Sequence, residues 1–234
     1  MPSKNAEVIE KKSMIASRQN LKHDAAKYIR DQILGGNMLP GTRIDQDQVA
    51  ADLGVSRLPV REALISLEAE GLVENIPRRG AFVAAITPED ILDHYEMYGQ
   101  ISGLAAARCA VLRPKELVTA LNLINDKMRK SKDPALLDGL NFEFHQEINK
   151  VGGSRRLRSV LRTLSRSMPT YFYASGAQFE FTEKAFDEHD LITAAINAGD
   201  TEAAEKAMIQ HFRHTAEEAV EMLRNAGFWD KQEA

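Results

Sequence analysis

The chain has 234 residues, of which 44% are apolar and 27% charged, with a formal net charge of −4. That length suits one fair-sized domain or two small ones, and so mild a charge neither favours nor excludes nucleic acid as a partner. A single cysteine, Cys109, excludes an intrachain disulfide framework and favours a reducing cytoplasm. No apolar run approaches the roughly 18 residues of a membrane span, and residues 1–20 read as a flexible lead-in without a secretory signal.

The first predicted helix spans residues 21–35. Its apolar residues recur on one helical face, and they are Leu21, Ala25, Ile29 and Ile33. The Gly35–Gly36 pair is expected to end this helix, and the turn "NMLPGTR" follows it.

Two further helices are predicted on either side of Gly54. Asp45 and Gln48 have the spacing of a capping box before a short helix, and Ser56 can cap a longer one. The positions expected to be buried in these two helices are Val49, Ala50, Leu53, Val60, Ala63, Leu64 and Leu67. A short helix, a tight glycine turn and a longer helix have the layout of a helix-turn-helix.

Basic side chains occupy positions in this region that suit DNA. Arg57 and Arg61 lie one turn apart at the start of the longer helix, on a face that its core positions do not use. Arginine pairs bidentately with guanine edges and also clamps phosphates. The stretch "LVENIPRRGAFVAAI" predicts two short strands, which would place Arg78 and Arg79 at the tip of a β-wing. The alternative is that these arginines are ordinary solvated surface charges.

This region resembles the winged helix-turn-helix of GntR-family transcription regulators, through "GVSRLPVREAL", "EGLV" and "RRGAFV". The resemblance implies that Arg57 and Arg61 touch DNA, that Ser56 contacts a phosphate, and that Gly80 lets the wing backbone approach the minor groove. Arg43, Arg78 and Arg79 are the other predicted DNA contacts. Asp47 stands where some members have an arginine that contacts the operator, so that contact is expected to be absent.

Only helical patterns follow the wing. Thr87, Pro88 and Asp90 have the spacing of N-cap, N1 and N3, which predicts a domain boundary with a very short linker. Helices are predicted near residues 88–111, 114–130, 134–151, 154–170, 182–198 and 201–225. Residues 171–181 are aromatic and irregular, and they are interpreted as a loop pinned to the core or, alternatively, as a lid over a pocket.

The predicted fold class is mainly α. An N-terminal winged helix-turn-helix with a small β-wing precedes a C-terminal all-α bundle of about six to seven helices. The predicted boundaries are 1–20 for the lead-in, 21–86 for the DNA-binding domain, and 87–230 for a helical effector, metal-binding and dimerisation domain.

Polar residues interrupt the apolar faces of this bundle. Asn141 and His145 lie one turn apart on a buried stripe, and His189 and His211 lie on apolar faces 10 and 11 residues from the Gly199–Asp200 turn. At about 1.5 Å per residue, the last two histidines should stand level in an antiparallel hairpin. Imidazoles with an oxygen donor suit a first-row divalent ion such as Zn, Ni or Mn. The alternative is a set of hydrogen-bonded core histidines.

Residues 88–225 resemble the FCD domain, the helical effector domain of the FadR-type branch of the GntR family. The likeness rests on "NFEFHQEI" and "DEHDLITAAINAGDTEAAEKAMIQHF". It implies a divalent metal held by Asn141, His145, His189 and His211. Many members have aspartate at the first position, so the neutral Asn141 is expected to weaken metal binding.

The same resemblance implies a small-molecule effector. This chain has "YEMYGQIS" where the family commonly shows "YEVR…LE", so Tyr98 replaces an arginine that often meets an acidic effector. A small carboxylic acid remains the expected ligand, with Arg162 or Arg166 replacing the missing charge or simply lying at the surface. The predicted pocket comprises Tyr98, His94, Arg162 and Arg166. His214 shares a face with glutamates and is expected to be solvated.

The resulting prediction is a cytoplasmic, homodimeric transcription regulator rather than an enzyme. It would bind a near-palindromic operator in double-stranded DNA and repress transcription until a metabolite binds to the protein. Two alternatives remain open at this point. The metal itself could be the effector, or three histidines with a water-bearing metal could form a hydrolase.

Overall fold

The computed structural model describes residues 20–33, 36–167, 183–225 and 227–229, with the side chains of Arg166 and Ser167 left out. The predicted lead-in and the aromatic segment 171–181 lie outside these residues. Contacts between Cα atoms divide the chain into two units that meet at the Ile86–Thr87 peptide bond. No helix in these ranges is both long and apolar enough to cross a membrane.

The first unit contains a helix-turn-helix and a two-stranded wing. Helix α1 covers residues 20–33, and the other elements are α2 (Gln46–Leu53), α3 (Arg57–Ala69), β1 (Val73–Ile76) and β2 (Gly80–Val83). The strands are antiparallel, with Val73 opposite Val83 and Ile76 opposite Gly80. Backbone hydrogen bonds from Ile44 to Ala81 and from Val83 to Thr42 attach the chain before α2 to the wing.

The core of this unit follows the predicted apolar faces, with two corrections. Ile29, Ile33 and Leu67 are fully buried. Leu21, predicted to be buried, is 39% exposed because it lies in the first turn of α1, beyond the core. Leu53 is only half-buried, since it is the last residue of α2 before the turn at Gly54.

The predicted caps around α2 and α3 form only in part. The Asp45 carboxylate accepts backbone hydrogen bonds at the start of α2, but the Gln48 side chain donates to Asp52 (2.7 Å) instead of completing a capping box. Ser56 occupies the N-cap of α3 with extended backbone, yet its hydroxyl makes no capping hydrogen bond.

The second unit is all helical within the described residues. Its elements are α4 (Pro88–Leu112), α5 (Lys115–Lys130), α6 (Pro134–Gly152), α7 (Arg155–Ser167), α8 (Glu183–Ala198) and α9 (Thr201–Asn225). The predicted cap of α4 is confirmed. The Asp90 N–H donates to the Thr87 hydroxyl (3.1 Å), and the Asp90 carboxylate accepts from the Thr87 N–H (2.8 Å).

Helix α4 packs on α6, α8 and especially α9, and α5 packs on α6 and α8. The approach of α6 to α4 requires Gly152, because a Cβ there would lie 2.0 Å from the carbonyl oxygen of Ala105. Phe144, Ile148, Ile192 and Met208 fill the core between the helices. The predicted fold class is therefore confirmed, and three buried histidines lie among these core residues.

Candidate nucleic-acid interface and metal centre

The start of α3 presents two arginines to solvent. Val60, Ala63, Leu64 and Leu67 are buried on one face of α3, which leaves Arg57 and Arg61 exposed on another. Arg61 has no ion-pair partner within the described part of the chain. Its guanidinium is thus available to a base edge or a phosphate.

Arg57 has an unpredicted partner in Asp47. The guanidinium Nη2 donates to the Asp47 carboxylate at 2.6 Å, and Nε contacts the second carboxylate oxygen. The two side chains are 70% and 61% exposed, so this pair adds little to stability. Its consequence is electrostatic, because the carboxylate neutralises one of the two arginines at the start of α3.

Asp47→Asn is expected to strengthen binding to duplex DNA by a few-fold, about 1 kcal/mol or less, because it releases Arg57 and removes a charge that repels phosphates. The slope of log K against log salt should steepen by about one unit. Fluorescence anisotropy across a salt series measures both. The control is Asp31→Asn, which breaks the equally exposed Lys27–Asp31 pair on α1. An identical salt slope in Asp47→Asn and the parent protein would contradict the expectation.

The wing brings together four of the predicted DNA-binding residues, which are Arg43, Arg78, Arg79 and Gly80. Arg78 lies in the turn with φ 65°, and the Arg79 guanidinium lies 5.3 Å from the centre of the Phe82 ring. Gly80 has φ 108°, and a Cβ at this position would lie 3.2 Å from Nε of Arg43. Gly80 therefore also allows the Arg43 side chain to lie against the wing.

Three histidines from different helices converge in the second unit. His145 on α6, His189 on α8 and His211 on α9 are buried, and one ring nitrogen from each lies within 4.8 Å of the others. The ring centres of His189 and His211 are 4.8 Å apart, which confirms that the two stand level. The Nε2 atoms of His145 and His211 are 3.1 Å apart. At this distance the two nitrogens can share a proton or bind one ion.

Hydrogen bonds determine which nitrogen of two rings is protonated. The Asn125 amide donates to the Phe186 carbonyl (2.9 Å) and to Asp190 (2.6 Å), so its oxygen accepts from Nδ1 of His189 at 3.3 Å. The Glu188 carboxylate accepts from Nδ1 of His211 at 2.8 Å. Both rings thus carry a proton on Nδ1, which leaves Nε2 as the nitrogen that can face a ligand.

The electrostatics of the cluster favour a cation. Burial, followed by the neighbouring His211, holds the pKa of both His145 and His189 well below its usual range, so these rings are neutral at pH 7. Burial alone would raise the pKa of Glu188, but hydrogen bonds from His211 and His214 outweigh it, and the net shift is downward. The carboxylate beside the cluster is therefore ionised.

Two buried nitrogens of the cluster, Nδ1 of His145 and Nε2 of His189, have no hydrogen-bond partner among the described residues. An unpartnered buried nitrogen is costly in a protein interior. Neutral imidazoles oriented through Nδ1 are the usual donors to a first-row divalent ion. The residues present therefore fit such a metal, which the three histidines would hold. Asn141, the predicted fourth ligand, is half-buried one turn before His145 on α6.

Asn125→Ala is expected to weaken metal binding by about 10- to 100-fold, because His189 would lose the partner that orients its ring. Competition with a chromophoric chelator measures the affinity. Asn122→Ala is the matched control, since Asn122 is exposed on the same helix. Equal metal affinity in the two variants would exclude a positioning role for Asn125.

A cavity of about 250 Å³ lies among α4, α6 and α7. Tyr98 and Arg162, both predicted pocket residues, line it. His94 does not. It is buried against Tyr95 and Tyr98 instead, and burial lowers its pKa to about 4. The side chain of Arg166 lies outside the described part of the chain.

His214 is not solvated, contrary to the prediction. It is half-buried, hydrogen-bonded to Glu188 through Nδ1 and to Gln210 through Nε2 (2.7 Å). One carboxylate can serve both His211 and His214 because the two histidines are three residues apart on α9.

Sequence reasoning missed Asn125 and Glu188, which are hydrogen-bonded to the histidines, and Arg158, which also lines the cavity. Glu188 directly precedes His189, and the spacing of His211 and His214 was a signal for a shared partner. No sequence signal marks Asn125, because it lies on α5, a helix in which no site residue was predicted.

Comparisons with known proteins agree with these two units. The sequence profile of the FCD domain matches residues 93–214, more than half of the chain, and the profile described as bacterial regulatory proteins, gntR family, matches residues 21–83. The chain belongs to the GntR family of transcriptional regulators and carries an FCD domain. Both resemblances predicted from the sequence are thereby confirmed.

Individual relatives of this GntR-family protein agree with that assignment. An uncharacterized HTH-type transcriptional regulator of Mycobacterium tuberculosis (strain CDC 1551 / Oshkosh) is 30% identical over 80% of this chain and 76% of its own. The gluconate operon transcriptional repressor of Bacillus licheniformis is 27% identical over 79% of each chain. The crystal structure of a GntR transcriptional regulator from Rhodococcus sp. RHA1 is 25% identical with a TM-score of 0.61, covering 85% of this chain and 96% of its own.

Membership of the family decides between two of the function classes considered above. GntR-family proteins regulate transcription and are not enzymes. The prediction that this protein is not an enzyme is confirmed, and the hydrolase alternative is excluded.

Proposed function

We propose that this GntR-family protein is a cytoplasmic, homodimeric repressor controlled by a small carboxylic acid bound beside a divalent metal. Residues 21–86 would bind a near-palindromic operator, and residues 87–230 would form the effector and dimerisation domain. The proposed DNA contacts are Arg43, Ser56, Arg57, Arg61, Arg78, Arg79 and Gly80, and the proposed metal ligands are Asn141, His145, His189 and His211.

One observation carries the effector half of this proposal. His145, His189 and His211 aim ring nitrogens at one buried point, and Nε2 of His189 has no partner there among the described residues. When bound, a divalent ion supplies a positive centre for a carboxylate oxygen. The chain's own residues keep two of the rings in the required tautomer, through Asn125 and Glu188, and Phe144 stacks on His189 (4.0 Å).

Support for repression comes from one relative, whose name also mentions an organic acid. The Bacillus licheniformis protein is named a gluconate operon transcriptional repressor. A metabolite relieves repression only if it binds better to a state of the protein that has lower operator affinity. Coupling of this kind is typically about 1–3 kcal/mol, or about 5- to 150-fold in affinity.

The experiment begins with selection of operator sequences from random duplexes by the full-length protein. We expect a two-fold symmetric motif, and light scattering should show a dimer. Operator affinity is then measured with zinc alone, with a panel of small carboxylic acids alone, and with both. An acid that weakens operator binding by about fivefold or more in the presence of zinc supports the proposal. Failure to select any motif would overturn it.

The second candidate is a regulator whose effector is the metal itself. The observation that favours it is the complete enclosure of the histidine cluster, in which each ring is at most 4% exposed. Zinc alone should then change operator affinity by about tenfold or more, about 1.4 kcal/mol, without any organic acid.

A further inference from the structure

The outer face of α3 carries two large apolar side chains. Leu58 and Ile65 are 46% and 64% exposed. Leu58 and the buried Leu67 are about two and a half helical turns apart, so the two side chains point in opposite directions. Leu58 therefore lies on the ridge of α3 that is furthest from the core. A single exposed leucine is ordinary on a protein surface, but this one lies on the helix that a helix-turn-helix inserts into the major groove.

Leu58 is the residue of this ridge that is placed to reach base edges. It is the second residue of α3, and in helix-turn-helix proteins the N-terminal residues of the second helix contact the bases. Ile65 lies seven residues later, about 10 Å further along the helix axis. The exposed Arg57 and Arg61 lie before and after Leu58 in the sequence, and their charges attract the phosphates on either side of the groove.

The side chain of Leu58 limits what it can recognise. It has no hydrogen-bond donor or acceptor, so it discriminates between bases only through apolar contact or exclusion. In the major groove, the apolar group that marks one base is the C5-methyl group of thymine. Because the Asp47 carboxylate pairs with two nitrogens of Arg57, this arginine is also less available to a base than Arg61. The start of α3 thus offers one free guanidinium and one apolar side chain to the groove.

We infer that Leu58 is a specificity-determining residue, which reads one thymine in each half-site through contact with the C5-methyl group. Side chains three residues apart on a helix have Cβ atoms about 5–6 Å apart, and stacked base pairs are about 3.4 Å apart. Leu58 and Arg61 should therefore contact positions within about two base pairs of each other. The inference rests on the proposed function, because it names a base within the proposed operator.

The expected effect follows from the size of a methyl group. Removing one buried methyl group costs about 0.8 kcal/mol, which is about fourfold in affinity. A dimer would contact one such thymine in each half-site, and contributions of distant sites add. Removing both methyl groups should therefore weaken binding by about 15-fold.

The test replaces each thymine of the selected operator by uracil, at the equivalent position of both half-sites together. Uracil pairs with adenine as thymine does and lacks only the methyl group. For one position we expect the full-length protein to bind the uracil duplex about 15-fold more weakly than the thymine duplex, measured by fluorescence anisotropy at constant salt. At that position 5-methylcytosine should be bound more tightly than cytosine by a similar factor, because the methyl group returns without the hydrogen-bonding pattern of thymine.

Variants assign the methyl contact to Leu58. Leu58→Ser should bind the thymine and uracil duplexes equally, because a hydroxymethyl group offers no apolar contact. Leu58→Met keeps an apolar side chain of similar volume and should retain most of the preference for thymine. Leu39→Ser is the matched control, since Leu39 is 58% exposed in the segment before α2, and it should keep the full preference. Because both leucines are exposed, their replacement should not impair folding.

Three results would overturn the inference: a selected half-site without thymine, equal binding of every uracil duplex and the thymine duplex, or a full thymine preference in Leu58→Ser. Failure of the proposed function looks different. An operator whose binding depends on the methyl group but responds to no carboxylic acid would contradict the proposed function and leave the role of Leu58 supported.

Discussion

Replacing His189 by alanine is expected to weaken zinc binding by about 100-fold or more, because the cluster would lose one of its three imidazole donors. In the parent protein, free zinc at about 100 times its dissociation constant should raise the free energy of unfolding by about 2.7 kcal/mol. This stabilisation should be absent in the variant at the same zinc concentration. Chelator competition and thermal unfolding with and without EDTA measure the two effects.

Two further variants show whether that loss is specific. His23→Ala removes an exposed histidine of α1 and should leave zinc binding unchanged. Asn141→Asp should tighten zinc binding if Asn141 is the fourth ligand, because a carboxylate is a stronger donor than a neutral amide. Retention of parental zinc affinity by a folded His189→Ala protein would rule out the metal site.

Arg61→Ala is expected to weaken binding to the selected operator by about 1–3 kcal/mol and to relax base preference at one position of each half-site. The reason is that Arg61 is exposed at the start of α3 without an ion-pair partner among the described residues, so a base edge can engage its whole guanidinium. Competition between the operator and single-base variants measures both quantities.

The charge-matched control is Arg224→Ala, an exposed arginine in the last turn of α9. It should not change base preference. If Arg61→Ala lowers the affinity for every sequence equally and reduces the salt slope by about one unit, Arg61 contacts a phosphate and the base-reading role is wrong.

The sequence by itself determined the helices and the register of the histidines. Apolar residues that repeat every three to four positions, and caps such as Thr87 with Asp90, act within a single element, so their effect can be predicted locally. The level positions of His189 and His211 also followed from the sequence, because the Gly199–Asp200 turn and the constant rise of two antiparallel helices determine them.

Only the tertiary structure decided which side chains meet between elements. Asp47 reaches Arg57 across the turn of the helix-turn-helix, and Asn125 reaches His189 from a helix 64 residues away in sequence. Arg158 lines the cavity because α7 packs on α4. Such contacts depend on the relative placement of whole helices, and helical periodicity shows which face is apolar but not which neighbour covers it.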